Sequence, residues 1–506
     1  MAELKGRVKQ IVDERLKKLT SLQENKINPY PNKFDLLDKK EFSEDIKLEF
    51  SKLKEEEKSG KEKVIAGRIM SKRKFGKLAF CNIQDLKGEI QIIIRGDESP
   101  KKVLDLFKLL DTGDIVGVRG EVLKTKTGEV SIATKELTLL TKSILPLPDK
   151  HKGLKDMDER LRKRYLDIIM NPDVKEIFIK KQKFWSATRG FLEDKNFLEV
   201  ETPILENSAG GASATPFQTH HNALDLEIFL RISMGELWQK KLLVAGYEKT
   251  FEIGRQFRNE GMDAEHLQDY TQMEFYWGYA NFEMGMGLVE ELYKKIAEET
   301  LGTLKFEYAG HKVDLGKKWA RYDFEKTIEK ETGINIYNTD KKEIIKKLNE
   351  LSLEYEDSSD KWRLVDVLWK YCRKKISGPG FLIGQPVELT PLAKRSKKNP
   401  NKVEQFQVII AGSENGNGYS ELNDPLDQEK RFEEQRSLKD AGDTEAHDHD
   451  EGFVEALKYG MPPACGFGFS ERLFSFLIGK PLRECVAFPL MKPESEVEPK
   501  QTKKKK

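Results

Sequence analysis

The sequence predicts an α+β protein with two unlike halves: a small β-barrel near the N-terminus and a larger domain built on an antiparallel sheet. Three observations carry that expectation. Between Val64 and Thr134, five short β-type runs are separated by turn signals. Beyond about Arg160, helices and strands mix without the regular βα alternation of a doubly wound sheet. Within that region Phe251–Tyr276 alternates in polarity as a hairpin, apolar on one face and rich in charges and aromatic hydroxyls on the other.

Residues 1–60 read as a charged helical extension, interrupted at INPYPNKF, where Pro29 and Pro31 break the helical pattern. Residues 61–143 carry the runs Val64–Met70, Leu78–Gln84, Ile90–Arg95, Ile115–Leu123 and Val130–Thr134, with a turn at Lys126-Thr127-Gly128-Glu129. Five strands in about eighty residues fit an OB-fold. Pro146-Leu147-Pro148 marks a linker over 144–160. The larger domain spans 161–493, with a Lys- and Glu-rich helical insertion over about 320–378. Residues 494–506 read as a disordered basic tail.

At 506 residues the chain is long enough for two or three domains and a large core. Its 88 basic and 86 acidic side chains nearly cancel to +2, so net charge neither demands nor excludes a nucleic-acid partner. Cys81, Cys372, Cys465 and Cys485 lie far apart, without the paired spacing of a disulfide framework or a zinc site. No run is long and apolar enough to span a bilayer, and MAELKGRVKQ lacks a signal peptide's apolar core. The expectation is a soluble, cytoplasmic protein of a reducing compartment, with no membrane partner.

The hairpin carries the densest chemistry. Met273, Phe275 and Trp277 share one face of its second strand; Tyr270, Gln272, Glu274 and Tyr276 share the other. Arg258 beside Glu260 at the tip, with His266 and Tyr270 on the return, suits a nucleotide: a cation for phosphate and a ring for the base. A solvated hairpin with an incidental charge pair is the plainer alternative.

FRNE in this hairpin, with Glu274 and Tyr276 beyond it, resembles motif 2 of the class II aminoacyl-tRNA synthetases. Phe191–Leu205 (FLEDKNFLEVETPIL) resembles motif 1, a helix leading into a strand that ends at Pro203 and, in the family, forms the dimer interface. Phe467–Leu477 (FGFSERLFSFL) resembles motif 3, with Arg472 opening a helix. Within class II, RKRYLDII, GGASATPFQTHHNALDLEIFLRIS, GSENGNGYSELNDP and CVAFPLMKP are most similar to the lysyl-tRNA synthetases. The matches run in order along nearly the whole chain. They imply an OB-fold anticodon-binding domain before a class II antiparallel-sheet catalytic domain, in a homodimer. The implied reaction uses ATP and Mg²⁺ to convert L-lysine to lysyl-adenylate, then transfers it to the 3′ end of tRNA(Lys).

By the same resemblance, Arg258 meets the α-phosphate and Arg472 the distal phosphates. Glu260 and His266 flank the nucleotide, and Tyr270 offers its ring to adenine where phenylalanine is more familiar. Glu414 corresponds to a carboxylate that binds Mg²⁺ between phosphates. Its usual acidic partner seven residues upstream is here Gln407, and Glu421 is a further candidate ligand. On a regular strand Gln407 and Glu414 fall on opposite faces, so a bulge near Gly412 is required to bring them together.

Asn417, Tyr419 and Glu421 share a strand face by parity. With Glu274 and Tyr276 they would surround a substrate side chain with two carboxylates and two phenols, the acceptors that a buried ammonium needs. That reasoning requires Glu274 and Glu421 to face a cavity without resident basic groups neutralising them. The resemblance assigns the ε-amino group to Glu421 and Tyr276, and the α-groups or carboxylate to Glu274 and Asn417. It gives the α-amino group to Glu236. RISMGELWQ, however, is one residue longer than the family's link from Arg231, so Glu236 is displaced or reached through a bulge at Gly235. Motif 3 is one residue shorter, and Phe469 and Ser470 replace a glycine-rich approach, which narrows the ATP pocket.

In the barrel, Arg68, Lys72, Arg73, Lys74 and Lys77 offer charge while Phe75 and Phe80 offer rings, the pattern of a single-strand groove. The resemblance places Arg68, Phe80, Gln91 and Glu129 at anticodon-contacting positions; Phe80 as a core residue of its strand is the alternative. His447-Asp448-His449-Asp450 reads as a solvated acidic loop, and the tail lysines suit solubility before RNA phosphates. Three rival functions remain: a ligase attaching lysine to a protein, a synthetase for aspartate or asparagine, and a catalytically silent RNA-binding relative. The intact barrel weighs against the first and the acidic pocket against the second. Arg258, Glu414 and Arg472 weigh against the third.

Overall fold

The computed structural model describes residues 5–148, 154–208, 211, 214–263, 265–356, 360–440 and 450–493. The chain divides into two compact units, Met1–Met157 and Asp158–Lys506.

In the first unit, helices α1 (Gly6–Glu24) and α2 (Ser43–Glu49) precede β1 (Lys58–Phe75), β2 (Leu78–Gln84) and β3 (Glu89–Arg95). Helix α3 (Lys101–Leu109), β4 (Ile115–Lys124) and β5 (Val130–Thr141) follow. The strands close into a barrel in the order β1-β2-β3-β5-β4. Alternation fills it: Ala79, Cys81 and Ile83 of β2 and Ile90, Ile92 and Ile94 of β3 join one buried core. Strand β1 runs longer than its alternation suggests, because a bulge between Ile69 and Ser71 lets it pair with both β2 and β4.

Helices α4 (Met157–Arg162), α5 (Arg164–Met170) and α6 (Pro172–Asp194) lead into β6 (Leu198–Glu199), β7 (Leu205–Glu206), β8 (Gln218–His221) and β9 (Leu226–Leu230). Next come α7 (Glu236–Val244), the hairpin β10 (Lys249–Phe257) and β11 (Asp269–Gly278), and α8 (Phe282–Leu301). Strands β12 (Lys305–Tyr308), β13 (His311–Asp314) and β14 (Ala320–Asp323) precede α9 (Phe324–Thr332), α10 (Lys341–Glu350) and α11 (Lys361–Arg373). The chain then forms β15 (Gly380–Ile383), β16 (Gln405–Ile410) and β17 (Ser413–Ser420). It ends with α12 (Pro425–Asp440), α13 (Glu451–Lys458), β18 (Ala464–Ser470) and α14 (Arg472–Leu477).

The main sheet has eight strands in the order β14-β15-β16-β17-β18-β11-β10-β6. It is antiparallel except at its two edges, where β14 with β15 and β10 with β6 run parallel. One face packs on α6 and α8: Phe184, Leu192, Leu292 and Ile296 share a core with Met273, Phe275, Phe467 and Phe469. Each such burial contributes roughly 1.5–3 kcal/mol. Asn281 starts α8 by accepting from Met284 N at 3.0 Å. Asp323, Asp340 and Asp360 cap α9, α10 and α11 in the same way. Those three helices build a satellite core of Phe324, Ile344, Leu364 and Trp369 that also takes in Leu382 and Ile409 of the sheet.

The segment resembling motif 1 differs from expectation. Its strand β6 covers only Leu198–Glu199 and stops short of Pro203; Thr202 N donates instead to the Glu252 carboxylate at 3.2 Å. His447-Asp448-His449 and the tail lysines lie outside the described residues. Among the described residues no helix is long and apolar enough to cross a membrane, and the four cysteines are free and buried.

Candidate active site

The solvent-side faces of β11, β17 and β18 enclose a cavity of about 440 Å³. Its position follows from parity, because Met273 and Phe275 go to the core and turn Gln272, Glu274 and Tyr276 into the cavity. Gly466 and Gly468 of β18 pair with Tyr276 and Glu274 across the strands. A Cβ on Gly466 would collide with Glu421 Oε1 and sit 2.6 Å from Tyr276 Cε1; one on Gly468 would sit 2.7 Å from Glu274 Cγ. The glycines therefore make the room that the acidic side chains occupy.

At one end Glu236, Glu274, Tyr276, Asn417, Tyr419 and Glu421 line the wall together. Glu274 is held from three sides: Oε1 accepts from Met234 N at 3.1 Å and Gln272 Nε2 at 2.6 Å, and Oε2 from Tyr276 O–H at 3.0 Å. Burial, reinforced by Glu236, pushes its carboxyl above the ordinary range. Asn417 Oδ1 accepts from Gln405 Nε2 at 2.8 Å, and Gln405 in turn accepts from Thr390 at 2.7 Å. Glu236 reaches the cavity despite its longer link, because Gly235, at φ +66°, absorbs the extra residue in a left-handed turn before α7. Its Oε1 accepts from the Tyr419 hydroxyl.

Arg258 and Tyr270 line the same cavity from the hairpin, and Arg472, the first residue of α14, lines it from motif 3. The Arg258 guanidinium is 6.0 Å from the Tyr270 ring centroid and donates to Ile232 O at 3.3 Å. His266 places Nδ1 2.9 Å from Asp263 and Nε2 3.4 Å from Arg472. Phe469 and Ser470 are part of this wall. Glu260 is not: it is exposed at the hairpin tip, where Thr215 N contacts it at 3.4 Å. The tip bends away once β10 ends at Phe257, so strand parity no longer directs that side chain.

Gln407 and Glu414 do line one cavity. The bulge that aligns them is not at Gly412. Gln407 pairs with Asn417 and Ile409 with Glu414, so Asn415 and Gly416 together face Val408. Ala411 and Gly412, at φ 50° and 73°, form the tight turn between β16 and β17 instead. Trp369 of α11 donates to Glu414 Oε1 at 2.8 Å, and Arg373 approaches the same oxygen at 3.7 Å. A carboxylate and an amide carbonyl on one wall are oxygen donors suited to a hard divalent cation, with a single negative charge between them. Among the described residues no cluster of three or more His, Cys, Asp or Glu is placed to hold a metal.

A family profile for tRNA synthetases class II (D, K and N) matches residues 156–492, and one for an OB-fold nucleic acid binding domain matches 63–140. The lysine–tRNA ligase of Moorella thermoacetica is 43% identical over 486 residues, 95% of this chain and 98% of that protein. That of Thermoanaerobacter pseudethanolicus is 44% identical over 95% of this chain and 96% of its own length. That of Syntrophomonas wolfei is 40% identical over 98% and 99%. The chain belongs to the lysine–tRNA ligase family of class II tRNA synthetases.

Glu421 is not free of resident cations: Lys240 Nζ of α7 lies 2.6 Å from its Oε2 and 2.7 Å from Glu236 Oε1. That pairing occupies one of the two oxygens that Glu421 could offer a metal. Charge alone therefore does not single out lysine; membership of the lysine–tRNA ligase family carries that identification. Lys240, Trp369 and Arg373 escaped the sequence reading. Only Lys240 left a signal, a Glu236-x-x-x-Lys240 spacing that places both on one helix face.

In this synthetase's barrel, Arg73, Phe75, Phe80, Gln91, Arg95 and Glu129 line a groove. Phe80 is half-buried and meets Phe75 edge-on at 6.3 Å, outside the core. Gln91 Nε2 donates to Glu129 Oε2 at 3.0 Å. Arg68 does not line the groove; its guanidinium donates to Gly113 O at 2.7 Å. Lys72 is likewise held by the carbonyls of Phe107 and Leu110, both at 2.7 Å. Unsatisfied carbonyls are costly, so these two cations serve the barrel itself.

Proposed function

We propose that this cavity activates L-lysine with ATP and that the chain transfers the lysyl group to tRNA(Lys). The observation that carries the reading is one continuous cavity with Glu236, Glu274 and Glu421 at one end and Arg258 and Arg472 at the other. The first end receives the two ammonium groups of lysine, with Tyr276 and Asn417 completing the acceptors. The second neutralises phosphate oxygens: Arg258 on the α-phosphate, Arg472 on the distal ones, and Tyr270 against adenine. The lysine carboxylate then attacks the α-phosphorus in line and pyrophosphate leaves. In the second step a ribose hydroxyl of the tRNA end attacks the adenylate carbonyl and AMP leaves. Neither step needs an activated protein nucleophile, so positioning and charge neutralisation do the work. Mg²⁺, held by Glu414 and the Gln407 carbonyl together with phosphate oxygens, would supply further neutralisation.

A homodimer in the cytoplasm is part of the same reading. Leu198, Ile204 and Leu205, around the motif 1 strand, are 50%, 45% and 51% exposed, as an unfilled interface would be. Amino-acid-dependent exchange between ATP and pyrophosphate, run across the common amino acids, tests the activation step. Charging of a tRNA(Lys) transcript tests the transfer. Exchange without charging would favour a protein acceptor, and exchange driven by aspartate or asparagine would overturn the lysine assignment.

A further inference from the structure

The least expected group in the amino-acid end of the cavity is a lysine of the protein itself. Lys240 is 1% exposed and lies one helical turn beyond Glu236 on α7. Its ammonium is 2.7 Å from Glu236 Oε1 and 2.6 Å from Glu421 Oε2. The rings of Tyr276, Tyr419 and Phe453 surround it at 5.8, 5.5 and 5.7 Å from their centroids. Glu236, Glu421, Tyr276 and Tyr419 all line the cavity, whereas Lys240 stands behind them.

Each carboxylate has two oxygens, and Lys240 takes one from each. Neither oxygen of Glu421 has a hydrogen-bond partner among the described residues; Oε2 has the Lys240 ion pair, and Oε1 has no such contact. A Cβ built on Gly466 would run into that same oxygen, so it faces the open space that the glycine leaves. Glu421 is thus anchored on one side and unsatisfied on the side toward the cavity. A buried unpartnered carboxylate oxygen is costly, and a substrate ammonium placed there would relieve it.

The charge count points the same way. Once ionised, as bound ammonium groups would hold them, Glu236, Glu274 and Glu421 bring three negative charges against one positive charge on Lys240, a net of two. Free lysine brings two ammonium groups. Without Lys240 three mutually repelling carboxyls would share one buried wall and would hold their protons more tightly still against an incoming cation. Lys240 opposes burial at Glu421, and its own pKa is raised by Glu236 and Glu421 despite its burial, so it stays charged.

We propose that Lys240 is a positioning residue for lysine recognition: it anchors Glu236 and Glu421, turns Glu421 Oε1 toward the cavity, and sets the pocket's excess charge to match two ammonium groups. The proposal rests on the reading of Glu421 as the acceptor of the substrate ε-ammonium. The competing view makes Lys240 a structural ion pair that ties α7 to the segment just after β17.

The test compares lysine with norleucine, which has the same backbone groups and chain length but no ε-ammonium. In the full-length protein, the lysine KM and the norleucine Ki are measured by ATP–pyrophosphate exchange for Lys240→Met, Lys240→Gln and Glu421→Gln. Lys240→Gln can still donate to both carboxylates, so it supports folding where Lys240→Met does not. Both Lys240 variants are expected to lower the preference for lysine over norleucine by about tenfold or more, with the ATP KM changed less than about twofold. A structural role would weaken both ligands equally and leave the preference intact; that outcome overturns the proposal. Glu421→Gln separates the two failures. If it keeps the lysine preference, the pocket reading itself is wrong. If it loses the preference while the Lys240 variants keep it, only the role of Lys240 falls.

Discussion

Single residues in this enzyme divide between those that meet charge and those that hold the first set still. Arg258 belongs to the first: it lines the cavity, and its guanidinium rests against the Tyr270 ring with one long bond to Ile232 O. Arg258→Ala is expected to cut exchange by about 10²-fold or more while leaving the thermal midpoint unchanged; undiminished exchange would remove it from the phosphate site. Glu274 and Glu421 set a pH dependence. Burial raises both pKa values above the usual 4.5, with Glu236 adding at Glu274 and Lys240 opposing at Glu421. The folded, ligand-free protein therefore holds protons that the unfolded chain has released. Its stability from these groups is highest below about pH 4.5 and falls as pH rises toward the raised values. Lysine replaces those protons, so the Tm gain on adding lysine is expected to grow through the same window. A pH-independent gain would exclude carboxylate ionisation from recognition.

At the scale of elements, the sheet supplies direction and the helices supply support. Strand β18 matters through what it lacks. Gly466→Ala puts a methyl group into the space of Glu421 Oε1 and Tyr276, so the lysine KM should rise more than about tenfold with the ATP KM preserved. An equal rise in both would mean that the sheet, not the pocket, had been disturbed. Helix α11 reaches the phosphate end through Trp369, whose indole fixes Glu414 Oε1. Trp369→Phe keeps the ring in its core but drops that bond, so half-maximal exchange should need several-fold more Mg²⁺. An unchanged Mg²⁺ requirement would show that Glu414 needs no such partner. The insertion is thus more than a decoration on the sheet.

Across the whole molecule, two units carry two tasks, and substitutions in one are expected to spare the other. Phe80 lies half-buried on the barrel groove beside Phe75, far in sequence from any cavity residue. Phe80→Ala should weaken tRNA charging about tenfold, the loss of one stacked base, and leave exchange untouched. If both activities fell together, Phe80 would be supporting the fold.

Strand periodicity makes much of this legible in the sequence. Glu274 and Tyr276 on β11, and Asn417 and Tyr419 on β17 with Glu421 just past its end, fall on cavity faces because a strand repeats every two residues. Parity stopped helping where strands ended or slipped: Glu260 left the site at the hairpin tip, and the bulge appeared at Asn415-Gly416 instead of Gly412. Arg68 and Lys72 looked like groove cations because composition cannot say which carbonyls a side chain will meet.

The one-dimensional chain thus settled family, strand faces and the acidic character of the substrate wall, all of which depend on neighbours in sequence. What only the folded molecule decided was the company those groups keep. Lys240 and Glu421 are separated by 181 positions along the chain yet share an ion pair. Side-chain energies in a dry interior depend on the nearest few ångströms, and those are assembled by the tertiary fold that brings α7 onto the hairpin strands β10 and β11, not by any local pattern.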